Sequence, residues 1–320
     1  MDISVCIVNW NTKELLANCI NSLQEKTAGV SYEVIIVDNN SADDSVDMIR
    51  QRYPQCKIVA CTENIGFTRG NNRCLQEVTG KYVLFLNPDT ILATNALYGM
   101  FQFMESNHDV GAVGCKLLNQ DGSIQYVAAR TFPTLWNQFC YLMMLDRLFP
   151  TLRMFSAIEL SYWDHQDSRE ADCLTGACIF TRKQVMDRLK GFDDALFMYA
   201  DDVDLCFRLK KEGLKIYYLA SEAIYHLEGQ SSKKRSEMFF SSLTQRESNH
   251  YYFLKHHGKI SAFLYRLIIF HGSLFRLIIT TVSIVDLRNN RLCKEDRQYI
   301  SKKYLNLILW SLGLKKAQTS

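Results

Sequence analysis

The sequence predicts an α/β protein with a mixed, mainly parallel sheet flanked by helices and a C-terminal helical extension. Three observations predict it. Strand-like and helix-like periods alternate over the first hundred residues, and polar or acidic residues close the apolar runs. The composition then changes: residues 250–320 hold 12 Lys/Arg against 3 Asp/Glu, whereas residues 1–249 hold 25 against 31. A chain of 320 residues accommodates one large α/β domain and an appendage, divided here as 1–236 and 237–320.

The elements follow in order. Ser4–Val8 is an apolar run that ends at Asn9 and Asn11. Thr12 is placed to cap a helix over Lys13–Gln24, where Leu15, Leu16, Cys19, Ile20 and Leu23 recur at helical spacing. Glu33–Val37 reads as a second strand, closed by Asp38, and Ser41 as the start of a helix carrying Val46 and Ile49. Lys57–Ala60 is a short strand, Gly70–Val78 a helix and Tyr82–Leu86 a fourth strand. This order implies parallel strands joined by right-handed crossovers.

A helix over Thr94–Glu105, a strand over Val110–Leu117 and a turn at Asn119-Gln120-Asp121-Gly122 come next. Residues 130–170 lack a period and read as a partly helical lid or substrate wall. Ala171–Thr181 is a strand interrupted by Thr175-Gly176-Ala177, Asp202–Lys211 a helix and Lys215–Tyr218 a strand. Glu237–His257 reads as helix. Ile260–Val285 is strongly apolar yet carries Arg266, His271 and Arg276. No uninterrupted apolar run there reaches the roughly 18–20 residues of a spanning helix, and a central Arg costs about 2.5–3.5 kcal/mol on insertion scales. Helices lying in the membrane interface are therefore expected; a helical cap on the protein's own core is the alternative.

Composition excludes several classes. The 11 Cys are odd in number, scattered through apolar runs and never spaced Cys-x-x-Cys. That pattern fits reduced, buried thiols of a cytosolic protein and not a disulfide framework or a zinc site. Met1-Asp2 lacks the basic region of a signal peptide. The acidic body and basic, apolar tail point to an anionic surface beside the tail, and no nucleic-acid partner is expected.

Chemistry concentrates at predicted strand ends. Asn87-Pro88-Asp89-Thr90 follows the run Tyr82–Leu86, and Pro88 cannot continue a ladder. In open α/β sheets ligands bind beyond the carboxyl ends of strands. An Asp there suits a divalent cation that also holds diphosphate oxygens, although strand-Pro-Asp is also an ordinary turn. In a parallel sheet Asn9, Asp38, Asn64 and Asp89 share one edge. Asp38 has the place of a ribose or base contact, or of a plain turn residue. Asn64-Ile65-Gly66-Phe67-Thr68-Arg69-Gly70-Asn71-Asn72 is a glycine-punctuated segment whose backbone N–H groups and Arg69 suit a phosphate. It matches neither the P-loop nor the dinucleotide pattern.

Tyr199-Ala200-Asp201-Asp202-Val203-Asp204 puts three carboxylates at a helix start. They serve either the helix dipole or, because crowded carboxylates raise one another's pKa, a general base. His226 follows a strand and suits a structural role or a cation site. After it, Gln230, Ser231, Ser232, Lys233, Lys234 and Arg235 could close over a diphosphate.

In order along residues 3–257, Val8-Asn9-Trp10-Asn11, Val37-Asp38-Asn39-Asn40-Ser41, Asn64-Ile65-Gly66-Phe67 with Gly70-Asn71-Asn72, Leu86-Asn87-Pro88-Asp89-Thr90, Leu174-Thr175-Gly176-Ala177, Met198-Tyr199 with Asp202-Val203-Asp204-Leu205, and His226 resemble the inverting family 2 glycosyltransferases. The likeness extends to the rhamnosyltransferase-like branch of bacterial polysaccharide biosynthesis. It implies a Rossmann-like GT-A fold and a Mg²⁺ or Mn²⁺ ion. It also implies a nucleoside diphosphate sugar donor, with rhamnose as the sugar, and a glycan or polyprenyl-diphosphate-linked acceptor at the cytoplasmic face of the membrane.

By position the resemblance makes Asp89 and His226 metal ligands and Asp202, beside Asp201, the base. It puts Asn9, Asn11, Asp38, Asn64, Gly66, Arg69, Asn71 and Asn87 around the nucleotide sugar, and Gly176, Ala177 and Tyr199 in the floor between donor and acceptor. Asn87 stands for the first Asp of the family's Asp-x-Asp pattern, Asp201 for its usual Glu, and Ala200 for a frequent aromatic. A nucleotidyltransferase and a catalytically degenerate membrane-surface scaffold are the competing expectations.

Overall fold

The computed structural model describes residues 1–156, 158, 160–227, 235–282 and 294–316. It divides into two compact units. The first comprises Met1–Phe132 with Trp163–Ser231, the second Pro133–Tyr162 with Ser232–Ser320. The division differs from 1–236 and 237–320: the segment read as a lid or substrate wall belongs, over residues 133–162, to the second unit.

The first unit contains β1 (Ile3–Asn9), α1 (Lys13–Lys26), β2 (Tyr32–Asp38), α2 (Ser45–Arg52), β3 (Lys57–Ala60), α3 (Gly66–Leu75), β4 (Tyr82–Leu86), β5 (Thr90–Leu92), α4 (Ala96–Ser106), β6 (Val110–Leu118) and β7 (Ala129–Arg130). The second unit's α5 (Leu135–Leu142) and α6 (Leu145–Leu148) intervene. The chain then returns with β8 (Arg169–Glu170), β9 (Cys173–Leu174), β10 (Cys178–Arg182), α7 (Lys183–Leu189), α8 (Asp201–Lys211) and β11 (Lys215–His226).

The main sheet has the order β3-β2-β1-β4-β10-β6-β11-β5, with β8 paired to β11. β1 pairs in parallel with β2 and β4, and β2 with β3. β10 runs antiparallel to both β4 and β6, so the sheet is mixed, as expected. β1 and β4 are buried along their whole length, which is why both read as continuous apolar runs.

Four local expectations are corrected. Thr12 holds the N-cap position of α1, as expected, but its hydroxyl donates to Asn9 Oδ1 at 2.6 Å and makes no side-chain cap bond. The second helix starts at Ser45 and not Ser41, because Ser41 is engaged by Asp38: its backbone N–H and hydroxyl donate to Oδ1 and Oδ2 at 2.8 and 2.7 Å. The third helix starts at Gly66 and not Gly70. Asn64 Oδ1 accepts the Gly66 N–H at 3.0 Å, so the glycine-punctuated segment is the helix's first two turns and not an open loop. Lys215–Tyr218, read as a short strand, continues to His226 across an irregularity between Leu219 and Ala223.

In the second unit α9 (Arg235–Val282) is broken at Gly258, whose φ of 83° lies outside the helical range, and α10 (Lys294–Ser311) follows. The two arginines of the apolar run donate to backbone carbonyls. Arg276 donates to Leu142 O at 2.8 Å and Tyr141 O at 2.5 Å; Arg266 donates to Trp310 O at 2.7 Å and lies over the Trp310 ring. Ala262, Tyr265, Ile269, Ser273 and Arg276 are buried, while Ile260, Phe263, Leu264, Leu267, Leu274 and Ile278 are exposed. Ser241–Thr280 is long and apolar enough, by length and composition, to cross a membrane, although the sequence has no uninterrupted run of that length.

Candidate active site

The sheet places Asp89 beside His226. β5 pairs antiparallel with β11, with Thr90 opposite His226, and the Leu227 N–H donates to Asp89 O at 2.9 Å. His226 Nε2 then lies 3.5 Å from Asp89 Oδ1, with both side chains buried. Asp89 Oδ1 has no hydrogen-bond partner. An orphaned, buried carboxylate oxygen is costly unless a cation or proton meets it. Among the described residues no cluster of three or more His, Cys, Asp or Glu side chains can hold a metal. Two protein ligands are nevertheless enough for a hard cation that takes its remaining oxygens from a diphosphate and water, so the residues present fit such an ion.

Gly176 and Ala177 join this corner to the carboxylates of α8. The Ala177 carbonyl accepts the Asn87 N–H at 3.1 Å. One residue earlier, the Gly176 N–H donates to Asp202 Oδ2 at 3.1 Å. A Cβ on Gly176 would stand 3.7 Å from Asp201 Oδ2. The interrupted strand thus binds the Asn87–Asp89 turn through the Ala177 carbonyl and Asp202 through the Gly176 N–H, two peptide groups of one short segment.

The three acids of α8 meet different environments. Asp204 is paired with Arg208 at 2.7 Å, and Arg208 also donates to Leu189 O and Gly191 O; this is a structural anchor. Asp202 pairs with Arg130 and accepts the Val203 N–H at 2.8 Å. Asp201 is buried; its pKa is pushed up to about 8, first by burial and then by the neighbouring Asp202. Burial opposes the charge on Arg130, but Asp202 beside it holds the guanidinium above its ordinary range. Tyr199 and Ala200 enter the helix at φ of 66° and 55°, a left-handed pair that turns the chain sharply before Asp201.

The nucleotide-side residues form a network of their own. Asp38 Oδ2 accepts from Asn9 Nδ2 at 2.7 Å, and Asn9 Nδ2 also reaches Ser41 Oγ at 3.1 Å. Asn11 accepts the Ala42 N–H at 2.7 Å. Asp38 is 1% exposed with both oxygens engaged, so it is the hub of the strand-end turn. Gly66 is required where it stands: its φ is 85° and a Cβ would lie 2.6 Å from the Phe197 ring. Asn71 is buried and donates to Phe67 O, a helix-internal role, and Arg69 is exposed with Nε on Asp194 O at 3.3 Å. Residues 228–234, with Gln230, Ser231, Ser232, Lys233 and Lys234, lie outside the described residues, as does the Arg235 side chain.

Sequence reading missed Arg130, on β7, and Gln125, whose side chain bonds the His226 ring and carbonyl. Neither sits in a periodic segment. The available signal was an isolated polar side chain among apolar neighbours, Ile124 and Tyr126 around Gln125 and Ala129 before Arg130.

A mixed sheet with acids converging at strand ends has counterparts among known proteins. The family model described as "Glycosyltransferase like family 2" matches residues 1–246. The chain belongs to this family. Among curated relatives of this glycosyltransferase-like chain, the O-antigen biosynthesis protein RfbC of Myxococcus xanthus is 24% identical over 233 residues, 72% of this chain and 18% of that protein. The N-acetylglucosaminyl-diphospho-decaprenol L-rhamnosyltransferase of Mycobacterium tuberculosis is 28% identical over 205 residues, 60% of this chain and 66% of that protein. Rhamnosyltransferase WbbL of Escherichia coli is 27% identical over 203 residues, covering 61% and 73%. The chain therefore spans less than two thirds of the first two relatives. A crystal structure of S. aureus TarS shares the fold, with a TM-score of 0.51 and 14% identity over 98% of this chain and 92% of that one.

Proposed function

We propose that this family member transfers a sugar, with inversion, from a nucleoside diphosphate sugar to an acceptor hydroxyl on a lipid-linked glycan precursor of cell-surface polysaccharide. The observation that carries the reading is the Gly176–Ala177 segment, which ties the Asp89 turn on one side to Asp202 on the other. Leaving-group site and base are held at a fixed separation by one rigid backbone segment, the arrangement that alignment-driven catalysis requires.

Asp89 and His226 would hold Mg²⁺ or Mn²⁺. Such an ion, when bound, supplies the positive charge that neutralises a leaving diphosphate. The remaining steps belong to the chain. Asp202 accepts the acceptor's hydroxyl proton on a carboxylate oxygen as that hydroxyl attacks the anomeric carbon from the face opposite the diphosphate. Arg130 and the Gly176 N–H keep the carboxylate aimed. Asp201, protonated below about pH 8, acts as a neutral hydrogen-bond donor and adds no second negative charge beside the base. Two adjacent carboxylates in unequal environments are the usual signature of divided acid and base roles. Asp201 is the second candidate for the base, favoured by its raised pKa.

The names of the relatives support a rhamnosyl donor and a decaprenol-linked acceptor, and S. aureus TarS has a structure with UDP. The second unit supports a site at the cytoplasmic face of a membrane. Ile260, Leu264, Leu267, His271, Leu274 and Ile278 form one exposed stripe on α9. The flanking Phe263, Ile268, Phe270, Phe275 and Leu277 carry no charge. A soluble coiled-coil seam is flanked by charged side chains; a face this wide suits hydrocarbon. No Asp or Glu occurs from Ser248 to Val285, where Lys255, Lys259, Arg266 and Arg276 do, so anionic lipid is the complementary surface.

The test is product analysis. Offered nucleotide sugars and a prenyl-diphosphate-linked glycan, the protein is expected to release nucleoside diphosphate in step with acceptor glycosylation. Pyrophosphate release from a nucleoside triphosphate would place it among nucleotidyltransferases instead. Nucleotide sugars that raise the melting temperature without being consumed would favour the scaffold.

A further inference from the structure

The loop after β6, legible in sequence only as a turn, carries a chain of hydrogen bonds whose direction is fixed at both ends. Asp121 is fully exposed and its carboxyl is held below the ordinary range by Ser123, so it only accepts. The Ser123 hydroxyl gives its single proton to Asp121 Oδ1 at 2.6 Å and therefore accepts from Asn119 Nδ2 at 2.9 Å. That turns Asn119 Oδ1 towards Gln125, whose Nε2 donates to it at 2.8 Å. Independently, Gln125 Nε2 lies 2.7 Å from the backbone carbonyl oxygen of His226, which cannot donate. Both ends give the Gln125 amide the same orientation. Its Oε1 then faces His226 Nδ1 at 2.9 Å, and an amide oxygen there calls for Nδ1–H.

A neutral imidazole with its proton on Nδ1 carries its lone pair on Nε2. Nε2 is the atom 3.5 Å from Asp89 Oδ1, the buried oxygen without a partner. Two lone pairs face one another across that gap, an arrangement that favours a positive charge between them. Outer partners that fix the tautomer of a ligating His are a general feature of metal sites. A neutral amide does so without adding a further negative charge beside the diphosphate.

We propose that Gln125 is a positioning residue that holds His226 as its Nδ1–H tautomer, so that Nε2 and Asp89 Oδ1 together face the divalent cation of a nucleoside diphosphate. The proposal rests on the reading of Asp89 and His226 as the cation site. A purely structural role, pinning the end of β11, would leave tautomer and cation affinity unmoved.

The test uses the full chain with ¹⁵N-labelled histidine and Mn²⁺ as probe, with uridine or deoxythymidine diphosphate present. In the wild type, long-range ¹H–¹⁵N spectra at a pH where His226 is neutral are expected to show it as the Nδ1–H form. Gln125→Leu is expected to give a mixture of tautomers and to weaken Mn²⁺ binding, followed by the paramagnetic resonance of free Mn²⁺, by about tenfold to a hundredfold. Gln125→Glu keeps an acceptor for Nδ1–H and should retain both the tautomer and most of the affinity. An Nε2–H tautomer in the wild type overturns the proposal before any variant is made. So does a folded Gln125→Leu protein with wild-type tautomer and Mn²⁺ affinity. If the tautomer is as expected but Asp89→Ala binds Mn²⁺ like the wild type, the cation site itself is wrong, and the two failures are told apart.

Discussion

Arg130 and Asp202 form a partly buried ion pair in which the guanidinium meets the same carboxylate oxygen that accepts the Gly176 N–H. Asp202 Oδ1 is taken by the Val203 N–H. Oδ2 is therefore committed to two donors, whereas Oδ1 accepts only one and keeps a lone pair, so the proposed base receives an acceptor's proton on Oδ1 without giving up the Arg130 pair.

Asp202→Asn keeps the shape and removes proton acceptance. Sugar transfer is expected to slow by about a hundredfold or more, with nucleotide-sugar binding little changed in calorimetry. Arg130→Met strands a partly buried carboxylate and is expected to lower unfolding free energy by on the order of 3 kcal/mol, read from denaturant melts. If Asp201→Asn is the crippling change and Asp202→Asn is mild, the base is Asp201.

Asp201 gives stability a pH dependence. Its folded pKa of about 8 lies above that of an unfolded Asp, so between those values the native state binds a proton that the unfolded chain does not. Stability is then highest below the unfolded pKa and declines as pH rises towards 8, by on the order of 1 kcal/mol per pH unit. Melting temperatures of Asp201→Asn measured from pH 5 to 8 should fall less steeply than those of the wild type. Parallel slopes would show that Asp201 is ionised throughout.

Asp89→Ala is expected to abolish transfer while the fold, followed by circular dichroism, persists. EDTA should silence the wild type, and Mg²⁺ or Mn²⁺ should restore it. Full activity in excess EDTA would remove the cation from the mechanism.

The exposed face of α9 predicts binding to anionic vesicles. The full chain should sediment with phosphatidylglycerol liposomes, and high salt should weaken this without abolishing it, because apolar burial persists when charge is screened. Phe263→Glu with Leu267→Glu should release the protein. Failure of the intact chain to sediment would return the tail to the role of a helical cap.

Tyr82–Leu86 and Lys57–Ala60 were legible to the residue, because short apolar runs closed by polar or Pro residues leave little freedom in placing a strand. Helix starts were less so. Ser41 has the chemistry of a cap, but its hydroxyl is bound by Asp38 and met by Asn9 across a contact 32 residues long in sequence. The position of β10 between β4 and β6 could not be read, since alternation shows that a strand exists and not which neighbours it takes. Asp89, Asp202 and His226 stood out as acids and a histidine at element ends. Arg130 and Gln125 did not, because their roles arise only when β7 meets α8 and when the loop after β6 meets β11.

The order β4-β10-β6 also bears on how the chain is made. β4 and β6 emerge from the ribosome early, yet the strand that joins them begins only at Cys178. About 60 residues separate the end of β6 from that point, which at typical synthesis rates takes on the order of three to twelve seconds. During that interval two strands of a growing sheet present open, apolar edges, the condition under which nascent chains pair with the wrong partner. Chaperone dependence, and a sensitivity of yield to slow codons between residues 118 and 178, are the cellular counterparts of placing a late-made strand between two early ones.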